Sequence, residues 1–173
     1  MEVHELLVEL FGRVSGHVHG VLADLGTDEL LAAPATGTNP IGWLIWHLTR
    51  VQDHHMAEIM ERDQIWIEEG WAPRFGLDPD PQNHGYGHTP AQVASVRPES
   101  PVVLITYYDA VAARTREFLD TVTAADLDRV IDRRWDPPVT LGVRLVSIAD
   151  DDIQHAGQAA YVRGLLHASG GPQ

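Results

Sequence analysis

Asn39-Pro40-Ile41-Gly42-Trp43-Leu44-Ile45-Trp46-His47-Leu48-Thr49-Arg50-Val51 is the stretch whose reading decides the fold: it opens a long helix and sets a histidine at the border of its apolar face. Asparagine can accept from the free N–H groups of a first turn and proline is preorganised for the first helical position, so the helix opens at Asn39-Pro40 and its pattern runs to about Arg62. At about 100° per residue, His47, Val51, His54 and Glu58 share a narrow sector, flanked by Trp43, Leu44 and Leu48. His54 lies about 10 Å further along the axis than His47 and cannot share one cation with it. His54-His55 reads first as a polar helix face; the functional alternative sets His54, or Asp53 beside it, at the mouth of a pocket as a proton carrier or cofactor contact.

Working outward, the same three-and-four spacing marks a first helix from Val3 to Leu25, followed by a short turn, Thr27 to Leu31, capped by Thr27. Beyond the central helix the pattern dissolves between Gln64 and Pro101, with one short helix over Pro90 to Val96; so long a connection is functional or wraps the bundle. A third helix begins at Ser100-Pro101 and continues to about Val122, and Ala124 to Asp132 reads as a further turn. Trp135 to Gly142 is a rigid loop into a fourth helix, Val143 to Leu166, stopped by Ser169-Gly170-Gly171-Pro172. Four long helices without a convincing strand imply an all-α four-helix bundle, one domain over residues 1–173.

Composition narrows the chemistry. A chain of 173 residues without cysteine has no disulfide, thiolate ligand or cysteine nucleophile, so any thiol must come from a ligand. Its formal charge of −13 repels phosphate backbones and anionic lipid, which argues against nucleic acid and membrane surfaces as partners. With no signal-like amino end and no long apolar run, the expected location is the cytoplasm.

On the fourth helix, Asp151, His155 and Gln158 lie on one stripe, and either Asp151 or Asp152 is spaced to join His155 in gripping a divalent cation. With His47 opposite, the result is a one-carboxylate, two-imidazole pocket with open coordination positions, suited to Zn²⁺ and also to Ni²⁺ or Fe²⁺, with Gln158 orienting a ligand from behind. The plainer alternatives are a core histidine bonded to a backbone carbonyl and a solvated run of three aspartates. His84-Gly85-Tyr86-Gly87-His88 has metal-like spacing, but ordering so glycine-rich a loop is costly, and a substrate lid is the expected role. Tyr107, Tyr108, Trp66 and Trp71 are expected to be packing residues.

The stretch from Asn39 to Val51, together with Asp151 through His155-Ala156-Gly157-Gln158 to Leu166, resembles the signature helices of the DinB-like (YfiT-like) metalloenzyme superfamily. The resemblance implies an up-down-down-up bundle, commonly a homodimer, with a divalent metal on three histidines, and activity as a transferase or isomerase that uses mycothiol, bacillithiol or a related low-molecular-weight thiol on a small-molecule substrate. By position, His47 corresponds to the first ligand and His155 to the third. Asp151 stands where the second histidine would be, a harder ligand that alters metal preference. A metal-dependent hydrolase using bound water, or a non-catalytic stress-response or binding bundle with a degraded site, are the alternative readings.

Overall fold

Apolar stripes at helical spacing produce four long helices, which a computed structural model describes within residues 1–169. In chain order the helices are α1 (Val3–Leu22), α2 (Thr27–Leu31), α3 (Ile41–Met60), α4 (Ile65–Glu68), α5 (Pro90–Ser95), α6 (Pro101–Leu119) and α7 (Leu141–Ser169). The stop expected at Gly170-Gly171-Pro172 lies outside the described residues. Among the described residues, no helix is long and apolar enough to cross a membrane.

The core explains the topology. One cluster joins Val14 to Val21 of α1, Trp43 to Leu48 of α3, Val103 to Val111 of α6 and Ala156 to Val162 of α7. A second joins Phe11, Met56, Ile59, Leu119, Leu145 and Ile148. The end of α1 that follows in sequence thus meets the starts of α3 and α6 and the later half of α7, so α1 and α7 run one way and α3 and α6 the other: up-down-down-up. The neighbouring pairs are α3 with α7, α1 with α7, α1 with α6 and α3 with α6. Consecutive long helices α1 and α3 therefore sit across a diagonal, and α3 meets α7 along the bundle's most extensive seam.

Helix starts differ from expectation in two places. Ser100 does cap α6, its Oγ accepting from the Val103 N–H at 3.3 Å, with Pro101 in the first turn. At α3, however, Pro40 is itself the N-cap, extended at φ −73° and ψ 161°, and no side chain caps the helix. Close packing holds that turn instead, since a Cβ on Gly42 would lie 2.9 Å from the Leu30 carbonyl oxygen. Thr27 lies inside α2 rather than capping it; Gly26 is the N-cap and donates its N–H to Glu29 Oε2 at 2.8 Å.

The connection from α3 to α6 wraps the bundle. It holds α4, a 3₁₀ turn at Ala72–Phe75 and α5, and it buries Trp66, Trp71 and Phe75. With α6 and α7 on its other faces, α3 is buried nearly all round, its polar residues Thr49, Arg50, Gln52 and Asp53 included. The region read as a turn and rigid loop is a small antiparallel hairpin, β1 (Val130–Asp132) with β2 (Val139–Thr140), registered Val130 to Thr140 and Asp132 to Val139. β-branched residues favour the pairing, and Asp132 Oδ1 accepts from both the Arg134 N–H and its Nε, each at 2.9 Å, closing the turn.

Candidate metal centre

Because α3 and α7 are antiparallel neighbours, His47 projects across the seam toward Asp151 and His155. One ligand atom from each of the three lies within 4.8 Å of the others. The His47 and His155 rings are 4.6 Å apart at 79°, and Trp43 stacks on His47 at 4.6 Å and 13°. His47 is buried, while Asp151 and His155 are half-buried at the side that opens to solvent.

The hydrogen bonds outside the cluster set which nitrogen faces inward. His47 Nδ1 lies 2.5 Å from the His84 carbonyl oxygen, which only accepts, so Nδ1 carries the proton and Nε2 keeps a lone pair. His155 Nδ1 lies 2.8 Å from Gln158 Oε1, which again places a proton on Nδ1 and turns Nε2 toward Asp151 Oδ1 at 3.6 Å. Among the described residues, Asp151 Oδ2 is buried without a partner. Two imidazole Nε2 positions and a carboxylate with an unspent buried oxygen form a donor set that fits a divalent cation.

The electrostatics agree. Burial, opposed by the His84 carbonyl and by Asp151, holds His47 down to about 4 and therefore neutral. Burial also pulls on His155, but its hydrogen bonds to Asp151 and Gln158 and the Asp151 charge outweigh this and raise it. A proton on His155 Nε2 then occupies the place of a cation beside Asp151.

The three aspartates part company. Asp150 is exposed and accepts from Gln154 Nε2 at 2.7 Å. Asp151 faces the seam. Asp152, which spacing alone left eligible as a ligand, is fully buried at the junction of the two core clusters; neither of its oxygens has a partner among the described residues, and burial followed by the Asp151 charge pushes its carboxyl well above the usual range.

What sequence reasoning missed is the apparatus that holds His47. Arg50 is fully buried and donates from Nε to the Asn83 carbonyl at 3.1 Å, from Nη2 to that of Pro81 at 3.2 Å and from Nη1 to Gln64 Oε1 at 2.9 Å. Its guanidinium also lies 4.7 Å from the Trp66 ring centroid. Asp53, 3.4 Å from Arg50, accepts from the N–H groups of Ile65 and Trp66 at 2.9 and 2.8 Å and from the Tyr107 hydroxyl at 2.8 Å, which anchors α4. The available signal was an arginine and an aspartate three apart, directly after the largely apolar turns that carry His47.

The segment from His84 to His88 is consequently a pinned strap. His88 has spent both nitrogens, accepting from Trp43 Nε1 at 3.2 Å and donating to Asn83 Oδ1 at 2.8 Å. Gly85 has φ +98°, and a Cβ there would sit 2.6 Å from His47 Nδ1. The backbone hydrogen bonds to Arg50 and His47 offset the ordering cost that made a mobile lid the expected role.

His54 is not brought to the triad. It belongs to a second group with His55 and Glu58, whose ligand atoms also lie within 4.8 Å of one another. Because Arg50 fixes Gln64 Oε1 as acceptor, Gln64 Nε2 is the donor to His54 Nδ1 at 3.1 Å, and the His54 proton sits on Nε2. Trp66, Trp71, Tyr107 and Tyr108 are all buried, as expected of packing residues.

The sequence model described as the DinB superfamily matches residues 11–159. Among solved structures, the chain is similar to a conserved protein from Enterococcus faecalis, at 34% identity and a TM-score of 0.89, over 97% of this chain and 99% of that one. No curated protein matches.

Proposed function

The chain belongs to the DinB superfamily, and on that premise we propose that it is a divalent-metal-dependent enzyme, with His47, Asp151 and His155 as ligands, that transfers or isomerises a small electrophile with a low-molecular-weight thiol. The observation that carries this reading is the donor set itself: two imidazoles hydrogen-bonded through Nδ1, so that Nε2 faces the cluster, and a carboxylate oxygen buried without a partner among the described residues. A divalent cation at such a site lowers the pKa of a bound thiol or water and so supplies a nucleophile near neutral pH.

The chain's own residues do the rest. The His84 carbonyl and Gln158 fix the two rings in the ligating tautomer. Trp43 and the strap at Gly85 exclude water from one side of His47. Gln158 also borders a largely apolar groove of about 310 Å³ with Leu44, Tyr161, Val162 and Leu165, suited to the body of a small organic substrate. The absence of cysteine in the chain fits a thiol supplied from outside.

Metal analysis after reconstitution with Zn²⁺, Ni²⁺ and Fe²⁺ tests the centre: one equivalent is expected, and a substoichiometric content sinks the enzyme reading. Thiol consumption against a panel of electrophiles then tests the reaction. Turnover of an ester or amide without added thiol would replace the transferase by a hydrolase.

A further inference from the structure

Below Asp151 on the same α3–α7 seam, a cavity of about 370 Å³ is lined by His55, Glu58, Asp132, Arg133, Arg134 and Arg144. The chain has twelve cationic side chains and a formal charge of −13, yet three arginines line this one hollow. They are only partly used. Asp132 takes Nε and Nη2 of Arg134 at 2.9 Å each and Nη2 of Arg144 at 3.1 Å, and Arg144 Nη1 lies 3.1 Å from His55 Nδ1. Among the described residues, Arg134 Nη1, Arg144 Nε and the whole Arg133 guanidinium have no partner.

Glu58 is underused in the opposite sense. Its contacts are all long: 3.3 Å to His55, 3.8 Å to His54 and 3.9 Å to Arg134. With His55 neutral, three guanidinium groups against two carboxylates leave a local charge of +1, room for a single carboxylate group and not for a dianion. Convergent guanidinium forks favour a planar carboxylate, and the idle Glu58 calls for an N–H or O–H donor next to it.

We propose that this cavity binds the α-hydroxy or α-amino carboxylate end of a small molecule, the carboxylate on Arg133 and Arg144 and the neighbouring O–H or N–H on Glu58. Arg144 and Asp151 are seven apart on α7, hence on one face and about 10 Å apart. A molecule anchored here and long enough to span that distance along the seam would present its far end to His47, Asp151 and His155. That last step rests on the metal reading, whereas the anchoring does not.

The test is an NMR titration of the arginine Nε–H resonances with lactate, alanine, acetate and inorganic phosphate, on wild type, Arg133→Glu, Glu58→Gln and His47→Ala. Lactate or alanine should give saturable shifts about tenfold tighter than acetate, the effect of one charge-assisted hydrogen bond. Arg133→Glu should remove saturation, and Glu58→Gln should bring lactate and alanine to the level of acetate. Binding in His47→Ala should equal wild type, so a failed metal centre leaves this result standing. Linear, unsaturable shifts with lactate and alanine, saturation that survives Arg133→Glu, or phosphate binding more tightly than lactate would each overturn the proposal.

Discussion

Two groups of three sit along the α3–α7 seam, His47 with Asp151 and His155, and His54 with His55 and Glu58, both with ligand atoms within 4.8 Å. By residue type and spacing they are near equals. They differ in what touches them from outside. In the first, acceptors behind each ring hold the protons away and leave Nε2 open. In the second, a donor from Gln64 has taken His54 Nδ1, and the Arg144 guanidinium lies 3.1 Å from His55 Nδ1 where a cation would be repelled. A ligand set is therefore defined as much by its backing hydrogen bonds as by its members.

The largest test of that contrast is metal affinity in paired variants. His47→Ala should weaken Zn²⁺ binding by about 1,000-fold or more, roughly 4 kcal/mol, beyond the range of an outer-partner change. His54→Ala should change it by less than about threefold. Equal losses, measured by competition with a chromophoric chelator, would erase the distinction.

Arg50 joins the two groups, touching the strap behind His47 on one side and Gln64 behind His54 on the other. Arg50→Met leaves Asp53 buried opposite no cation and should cost about 3 kcal/mol in urea denaturation. A loss below about 1 kcal/mol would show that the backbone donors to Asp53 suffice without Arg50.

Acid probes the second group through His55, which burial holds down as it does His47 in the first. Burial and the Arg144 charge hold His55 down to about 4. On acidification the unfolded chain takes up this proton first, so the contribution of His55 is complete above about 6.5 and is lost as pH falls toward the folded value. Between pH 7 and 5 the wild type should lose on the order of 2 kcal/mol more stability than His55→Gln. Parallel denaturation curves for the two proteins would place the strain elsewhere.

The smallest expected effect is at Gln158. Gln158→Leu frees the His155 ring to take either tautomer and should lower Zn²⁺ affinity about tenfold with stability nearly unchanged. An unaltered affinity would mean that Asp151 alone orients that ring.

Much of the bundle was legible because helical periodicity records burial directly: α1, α3, α6 and α7 fall within a few residues of their expected spans. His47, Asp151 and His155 were legible because spacing on two helices fixes which faces they share. The hairpin was hidden, since Val130 to Thr140 holds too few residues for an alternating pattern, and its closure depends on Asp132 and Arg134 bonding across a turn. The strap was hidden for a related reason. Nothing local in Pro81 to His84 says that its carbonyls will meet a buried guanidinium thirty-odd positions earlier. Asp152 was ambiguous because a one-residue difference on a helix separates solvent from core.

Gly85 carries a consequence for how this protein can vary. Its neighbour Tyr86 is 88% exposed and free to accept almost any replacement, so a survey of substitutions would show tolerance and constraint side by side within the strap. At Gly85 a single added methyl group must push on an imidazole reached through no bond and no sequence proximity. Drift in the loop is thus constrained by the chemistry beneath it, and a variant that swaps Gly85 is expected to survive only alongside a second change at Trp43 or His47.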